Sequence, residues 1–155
     1  MTSFEADAVV TAANSRLAGG GGVDAAVHKG AGPQLLEALK YFNGCKTGEA
    51  VLTKAFNLKA RYIIHAVGPV YKDGGKKEAA LLYSAYKNSI RLCKSVDIKS
   101  VLFPVISSGV YGYPLEEACR IALDSIETSC KEYDFKGNVA IVCFDEITFS
   151  LFNSL

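Results

Sequence analysis

Short apolar runs of strand length alternate along this chain with longer segments whose apolar residues recur at helical spacing. This alternation is typical of α/β domains, in which helices cover a sheet. Two of the runs, at 101–105 and 139–143, lack a strict apolar and polar alternation, as expected for central strands buried on both faces. The sequence therefore predicts a three-layer α/β/α sandwich.

The elements of this sandwich follow from the same patterns and from the turn residues between them. Strands are predicted at 8–13, 50–55, 61–67, 100–105 and 138–144. Helices are predicted at 23–29, 33–41, 78–94 and 115–132, with a more weakly indicated one at 146–153. Pro33 and Pro114 fall at or just before first helical turns, where a missing N–H is tolerated.

The length and net charge of the chain indicate a single domain without a strongly charged surface. The 155 residues are enough for one domain, taken as 1–155, with a core that needs no disulfide or metal. The formal net charge is +1, from 17 basic and 16 acidic residues, so no global field attracts nucleic acid or a membrane surface. An anionic ligand must therefore be bound locally.

The cysteines and histidines indicate neither a disulfide framework nor a metal site. Five cysteines without C-x-x-C spacing are expected as buried reduced thiols, at Cys45, Cys93, Cys119, Cys130 and Cys143. We expect no metal and no cofactor, because the two histidines and five cysteines lack ligand spacing. The amino terminus does not resemble a signal peptide, and no apolar run has membrane-spanning length, so we expect a cytoplasmic monomer.

Four consecutive glycines, Gly19–Gly22, lie between the first predicted strand and a helix start. Glycine backbones approach a ligand closely, and the first turn of a helix offers unpaired N–H groups to a phosphate. The run is not a P-loop, since Val23 and Asp24 follow Gly22, and it is not a clean G-x-G-x-x-G fingerprint. From the glycines alone, a surface connector is an equally good interpretation.

A second loop, at 106–114, has the same context of strand, Gly/Ser turn and helix start. In an open α/β sheet, ligands bind outside the carboxyl ends of adjacent strands. The two loops could thus form opposite walls of one cleft, with backbone N–H groups directed at a diphosphate and Tyr111 folding over a sugar. Packing at a sheet edge is the alternative for Tyr111 and Tyr113.

The motifs of the chain, taken together and in order, resemble those of a macrodomain of the MacroD type. They are Asp7–Asn14, Leu17–His28, Ala31–Gly32, Thr47–Ala50, Tyr62–Pro69 and Ile106–Gly112, which together cover nearly the whole chain. The resemblance implies a mixed sheet between helices and the binding of ADP-ribose. It also implies hydrolysis of ADP-ribosyl esters on acidic protein side chains, or of O-acetyl-ADP-ribose.

The resemblance assigns catalytic roles to Asn14, Asp24 and His28. Asn14 would hydrogen-bond the distal ribose, although its Asn-Ser context also suits a turn. Asp24 would position or activate the water that attacks the anomeric carbon; a carboxylate at a helix amino terminus is the structural alternative. His28, one turn later, would orient Asp24 or the loop rather than act as the base, and a structural histidine is the alternative.

The ligand-binding residues implied by the resemblance come from both loops and the last strand. They are Ala13, Gly20, Gly21, Gly22, Val23, Ser107, Ser108, Gly109, Val110, Tyr111 and Phe144. Phe144 would stack near the adenosine, with core filling as its alternative. His65 lies within a strand and is expected to be a buried, satisfied imidazole. No Ser-His-Asp or Cys-His arrangement stands out, which disfavours covalent catalysis.

The chain departs from the family pattern at two places. Thr11 stands where the family usually has asparagine, so the hydrogen bonds at the end of the first strand are expected to differ. The amino-terminal Gly-Asp-Ile-Thr segment, whose aspartate reads the adenine amine in the family, does not occur in this sequence; Thr2 is interpreted as its remnant, and Asp7 is not its counterpart. Either the amino terminus is shortened, or adenine is recognised in another way.

Three functions are carried forward from the sequence. The first is a metal-independent ADP-ribosyl hydrolase acting on ADP-ribosylated protein or O-acetyl-ADP-ribose. The second is a module that binds ADP-ribose without turning it over. The third is an RNA-binding protein, which the near-zero net charge and the lack of interleaved aromatic and basic residues argue against.

Overall fold

The computed structural model describes residues 6–155, so Thr2 lies outside the described part. Its five strands are β1 (Ala8–Ala12), β2 (Ala50–Lys54), β3 (Tyr62–Ala66), β4 (Ser100–Phe103) and β5 (Asn138–Ile141). Its helices are α1 (Gly22–Ala31), α2 (Gln34–Leu39), α3 (Lys76–Ser95), α4 (Leu115–Glu132) and α5 (Glu146–Ser154), and a 3₁₀ turn, Lys40–Phe42, follows α2.

The five strands form one mixed sheet in the order β2-β3-β1-β4-β5. β1 pairs in parallel with both β3 and β4, and β5 pairs in parallel with β4. Only β2 is antiparallel to its neighbour, β3. The mixed sheet expected from the resemblance is confirmed, and the carboxyl ends of β1, β3 and β4 meet at one edge.

Helices cover both faces of this sheet and create two separate apolar clusters. One cluster joins α3 and α4 to the face that carries Val10, Ile64 and Phe103. The other joins α1 and α2 to the opposite face, where Val9 and Ile63 lie. The three-layer α/β/α sandwich is therefore confirmed.

The strand predicted at 138–144 differs most from the structure. It ends at Ile141, and it lies at the edge of the sheet rather than at its centre. Val139 and Ile141 are half-buried on the α4 side, whereas Asn138 and Ala140 are exposed. An apolar run without alternation does not distinguish two covered faces from one covered face, which is why its position was predicted wrongly.

Helix ends follow local backbone signals. α1 begins one residue before its predicted start and runs on to Ala31, where Gly32 ends it with φ at 91°. α2 is shorter than predicted because the chain tightens into the 3₁₀ turn, which ends at Asn43 in the left-handed region. Pro114 directly precedes α4, which has its predicted bounds.

The thiols are less uniformly buried than expected. Cys45, Cys93 and Cys119 are buried, whereas Cys130 and Cys143 are half-buried. Within residues 6–155, no helix combines the length and apolarity needed to cross a bilayer.

Candidate ligand-binding cleft

A cleft of about 460 Å³ opens at the carboxyl ends of β1 and β4. The two strands are parallel neighbours, but β1 leads to α1 on one face of the sheet and β4 leads to α4 on the other. Their loops therefore separate and leave a crevice between them, as occurs where strand connections diverge in α/β sheets. The two loops that the sequence analysis singled out form its walls.

The glycine loop supplies the first wall. Gly20, Gly21 and Gly22 line the cleft together with Val23, and Gly21 is the N-cap residue of α1. Gly22 has φ at 57°, in the left-handed region that favours glycine. No side chain caps α1, so the N–H groups of its first turn remain available at the cleft. This end of α1 is suited to an anion.

The second wall is a tight turn. Ser107 adopts φ at 66° and is 5% exposed, and its carbonyl accepts a hydrogen bond from the Tyr113 N–H at 2.9 Å. The N–H and hydroxyl of Ser108 both bond to the Val105 carbonyl. A Cβ at Gly68, which follows β3, would collide with the Ser107 side chain. The backbone at Gly68 therefore packs directly against that side chain.

The two tyrosines of this turn have different places. Tyr111 lines the cleft, and its carbonyl accepts a hydrogen bond from the Tyr71 N–H at 2.8 Å. Tyr113 is 3% exposed and packs edge to face on Tyr71, with ring centroids 4.9 Å apart. Ordinary packing, considered for both, therefore describes Tyr113 and not Tyr111.

Asn14 closes the loop that precedes the glycines. Its Nδ2 donates to the Gly19 carbonyl at 2.9 Å, and its Oδ1 accepts from the Ala18 N–H at 3.2 Å. The side chain also lines the cleft. An amide nitrogen carries two protons and an amide oxygen two lone pairs, so Asn14 retains one donor and one acceptor site for a ligand.

Asp24 is a buried carboxylate at the base of the same cleft. Its side chain is 2% exposed, and its Oδ1 accepts a hydrogen bond from the Thr11 hydroxyl at 2.9 Å. A backbone hydrogen bond from Gly20 and the nearby His28 also favour the charged form. Burial outweighs these partners and raises the pKa of Asp24 above its ordinary value.

Thr11 is a site residue that sequence reasoning noted only as a departure from the family pattern. It is fully buried in β1, and thirteen positions separate it from Asp24. The contact forms because α1 packs back against β1. The hydroxyl at position 11 thus favours the ionised form of Asp24 and lowers its pKa against the effect of burial.

His28 contacts Asp24 but does not line the cleft. Its Nε2 lies 3.7 Å from Asp24 Oδ1, and its ring lies against Gly19, where an added Cβ would be 3.9 Å away. It is placed to support Asp24 and the glycine loop, and not to touch a ligand. This position agrees with an orienting role rather than with that of a base.

His65 stands behind His28, with ring centroids 6.5 Å apart. It is fully buried, and its Nε2 lies 3.0 Å from the Thr53 hydroxyl, while its Nδ1 has no hydrogen-bond partner among the described residues. The prediction of a buried imidazole is confirmed, but the prediction of full satisfaction is wrong. Burial first, and His28 second, lower the pKa of His65 to about 3, so the ring is neutral.

Phe144 lines the cleft and is 67% exposed; it follows β5, which β4 separates from β1 and the Asn14 loop. Core filling, its alternative interpretation, is therefore wrong. The residue follows β5 and precedes Asp145, whose Oδ1 accepts a hydrogen bond from the Thr148 N–H at 2.7 Å and so caps α5. That hydrogen bond lowers the pKa of Asp145.

The structure brings together the predicted ligand-binding residues with one exception. Ala13 is 4% exposed and packs in the α1 and α2 cluster, so its side chain does not line the cleft, whereas that of Ala12 does. Residues not predicted also line it: Pro104, Val105, Leu115, Val142, Asp145 and Thr148. Val142, Asp145 and Thr148 lie between the end of β5 and the first turn of α5, and the approach of this segment to the cleft depends on the tertiary fold.

The described residues contain no group of three or more His, Cys, Asp and Glu side chains arranged to hold a metal ion. The chemistry that the cleft can offer comes from two sets of backbone N–H groups, one amide and one buried carboxylate. Such a set favours a ligand with two phosphates and a polar end.

Comparison with known proteins identifies the family. The profile described as Macro domain matches residues 10–122. The chain belongs to the macrodomain family. A macrodomain protein of Escherichia fergusonii, named O-acetyl-ADP-ribose deacetylase, is 45% identical over 159 residues, which cover 100% of this chain and 90% of that protein.

Solved macrodomains have the same fold as this one. A macrodomain of Oceanobacillus iheyensis with ADP gives a TM-score of 0.92 at 39% identity, covering 99% of this chain and 84% of that one. A Trypanosoma brucei macrodomain in complex with ADP-ribose gives 0.90 at 40% identity, covering 99% and 64%. The Oceanobacillus iheyensis protein has also been solved with single substitutions of an asparagine, a glycine seven positions later and an aspartate ten positions later.

Proposed function

We propose that this macrodomain binds ADP-ribose and hydrolyses its esters. The substrates are mono-ADP-ribosyl esters on acidic side chains of proteins, O-acetyl-ADP-ribose, or both. One observation carries the proposal: Asp24, a carboxylate with only 2% exposure and a raised pKa, lies in the same cleft as two phosphate-binding loops. A purely structural role does not account for an aspartate held against an anion site.

The diphosphate is placed between the two loops. The amino terminus of α1 contributes its first N–H groups, and the turn at Ser107–Tyr111 contributes others from the opposite wall. Donors fixed in place before binding stabilise a phosphate without reorganisation. They also bend the ligand, so that its two ends leave the cleft in different directions.

The two ends of the ligand are distinguished by their neighbours. Phe144 offers an exposed aromatic ring on which an adenine can stack. At the other end, Asn14 and Asp24 offer an amide and a carboxylate to the hydroxyls of the distal ribose. This arrangement leaves C1″ of that ribose near Asp24.

The reaction needs a positioned water rather than a covalent intermediate. A water held between Asp24 and a phosphate oxygen attacks C1″, the bond from C1″ to the ester oxygen breaks, and the carboxylate leaves. The proton of the water passes to one of the two oxygen acceptors that hold it. In O-acetyl-ADP-ribose, the water attacks the acetyl carbonyl carbon instead, and the ribose hydroxyl leaves. Placement supplies much of the rate gain.

The relatives support both binding and turnover. Two solved neighbours hold ADP or ADP-ribose, and a relative at 45% identity is named a deacetylase. Asn14, Gly21 and Asp24 have the same spacing of seven and ten positions as the residues substituted in the Oceanobacillus iheyensis protein. We infer that Asn14, Gly21 and Asp24 are the counterparts of the asparagine, glycine and aspartate substituted in that protein.

Turnover by the wild type and by Asp24→Ala, with exposed Asp73→Ala as a matched control, tests the proposal. Release of ADP-ribose from auto-modified protein and of acetate from O-acetyl-ADP-ribose is followed by chromatography, and ADP-ribose binding by calorimetry. We expect Asp24→Ala to lose about 100-fold in rate, the scale of acid and base catalysis, with binding largely kept. Wild-type protein that binds ADP-ribose but releases nothing would instead be a binding module.

A further inference from the structure

A second depression, of about 570 Å³, lies directly behind the loop that Asn14 closes. Its walls are the loop residues 15–18, Leu36 and Leu39 of α2, Lys40 at the start of the 3₁₀ turn, and the turn at Asn43 and Gly44. It contains none of the residues of the ligand-binding cleft.

The wall between the two depressions is a single stretch of chain. Asn14 lines the cleft, the next four residues line the depression, and Gly20 lines the cleft again. The Asn14 side chain accepts a hydrogen bond from the Ala18 N–H and donates one to the Gly19 carbonyl, and these two bonds hold the stretch in a closed loop. The Cys45 N–H bonds to the Ser15 carbonyl at 2.9 Å and fixes the loop to the far wall.

The order of groups along the cleft directs the acceptor toward this depression. If adenine lies at Phe144 and the diphosphate lies between the two loops, the distal ribose reaches Asn14. Whatever is bonded to C1″ then leaves the cleft at the Asn14 end, which is the end that borders the depression.

The charge of the depression is basic. Arg16 is exposed and forms no ion pair with any described residue. Lys40 lies on the opposite side and is 66% exposed. Among the described residues it forms one ion pair, in which its Nζ lies 2.9 Å from Oε1 of the exposed Glu37. Exposed cations of this kind attract carboxylates and speed their encounter, and salt weakens the effect.

We propose that this depression is the acceptor subsite, which receives an extended acidic segment of the protein that carries the ADP-ribosyl ester. The proposal rests on the function proposed above. Side-chain carboxylates flanking the modified residue meet Arg16 and Lys40, and Asn43 offers an amide to the backbone of the segment. The residues that line the depression are aliphatic, polar or basic, and no aromatic side chain is among them.

Binding of an ADP-ribosyl peptide in which an amide replaces the ester tests the subsite without any need for turnover. Two peptides are compared, one with glutamates and one with glutamines flanking the modified residue, each against free ADP-ribose. We expect the acidic peptide to bind about 10-fold more tightly than free ADP-ribose, which is the scale of two exposed charge pairs. The neutral peptide should gain much less, and high salt should abolish the difference.

The variant Arg16→Glu should remove this gain and leave the affinity for free ADP-ribose within about twofold. Lys59→Glu, an exposed charge reversal on the connection between β2 and β3, is the matched control and should keep the gain. The subsite would be overturned if the wild type bound the two peptides with equal affinity. It would also be overturned if Arg16→Glu weakened the binding of free ADP-ribose as much as that of the acidic peptide. A chain of two ADP-ribose units gaining more than the acidic peptide would overturn it as well.

Turnover separates failure of the subsite from failure of the proposed function. In Arg16→Glu, kcat/KM should fall about 10-fold on the ester-linked acidic peptide and stay unchanged on O-acetyl-ADP-ribose, which has no peptide. If the wild type hydrolyses neither substrate but still prefers the acidic peptide, the hydrolase proposal fails and the subsite stands. If it hydrolyses both and prefers neither peptide, the subsite alone fails.

Discussion

The hydroxyl of Thr11 donates a hydrogen bond to the carboxylate of Asp24 at 2.9 Å, and both side chains are almost wholly buried. This bond links the central strand β1 to the helix that forms one wall of the cleft. It is a charge-assisted hydrogen bond between buried groups, so its loss should change the protonation equilibrium of the Asp24 carboxylate.

Thr11→Val keeps the shape of the side chain and removes this donor. The pKa of Asp24, already raised by burial, should rise further, because a hydrogen bond that lowers it is lost. We expect the acid limb of the pH profile of kcat to move to higher pH, with a loss of about 3- to 10-fold in rate on that limb. Thr11→Ser, which keeps the hydroxyl, is the control, and an unmoved acid limb in Thr11→Val would contradict the assignment.

Asp24→Asn should stabilise the protein while it lowers turnover about 100-fold. The folded pKa is raised, so ionised Asp24 weakens the fold at neutral pH, and this penalty disappears as the pH falls through the raised pKa toward 3.8. We expect the Tm of the variant to exceed that of the wild type by about 3 °C at pH 7. The difference should shrink in acid. A lower Tm at pH 7 would mean that Asp24 contributes stability.

Gly20→Ala and Gly21→Ala separate the catalytic end of the cleft from its phosphate site. A Cβ at Gly20 would lie 3.4 Å from Asp24 Oδ2 and 3.7 Å from Asn14 Nδ2, whereas a Cβ at Gly21 meets nothing within 4 Å. Gly20→Ala should therefore lower kcat about 10-fold, because its methyl group would contact both side chains and crowd the water held beside them. Gly21→Ala should mainly weaken ADP-ribose binding, because its methyl group enters the space assigned to the diphosphate. Steady-state kinetics and calorimetry on both variants distinguish the two effects.

Phe144→Ala should weaken ADP-ribose binding and leave stability unchanged. The ring is 67% exposed, so its removal creates no cavity, while the lost stacking on adenine corresponds to about 10-fold in affinity. The matched control is Phe149→Ala, at 59% exposure and outside the cleft lining. The affinity for ribose 5-phosphate, which lacks adenine, should be the same in Phe144→Ala and in Phe149→Ala. A lower Tm without a change in affinity would assign Phe144 to packing.

Much of the fold could be predicted because local signals agree with the tertiary structure. α4 has its predicted bounds, since Pro114 and a continuous apolar stripe define it without help from other elements. The edge position of β5 could not be predicted, because it depends on which strands are its neighbours and not on its own residues.

The parts of the site formed by one contiguous segment could be predicted from the sequence. The parts formed by contacts between distant segments could not. The glycine loop and the turn at 107–111 are contiguous in sequence, so both were found from local composition. The contact of Thr11 with Asp24 and the depression beside Arg16 each join segments that are distant in sequence. The exposure of Phe144 likewise depends on the end of β5, which the apolar pattern placed too late.

β5 is one of the two edge strands of the sheet, and its outer side is weakly protected. From Ala6 onward, β4 is the only strand that pairs with β5, and the segment that follows it carries Phe144 into the cleft. Amides of this strand and of α5 should thus exchange with solvent before those of β1 and β3, through local opening. Adenine stacked on Phe144 would slow that opening, so ligand occupancy should be readable as protection of the carboxyl-terminal segment.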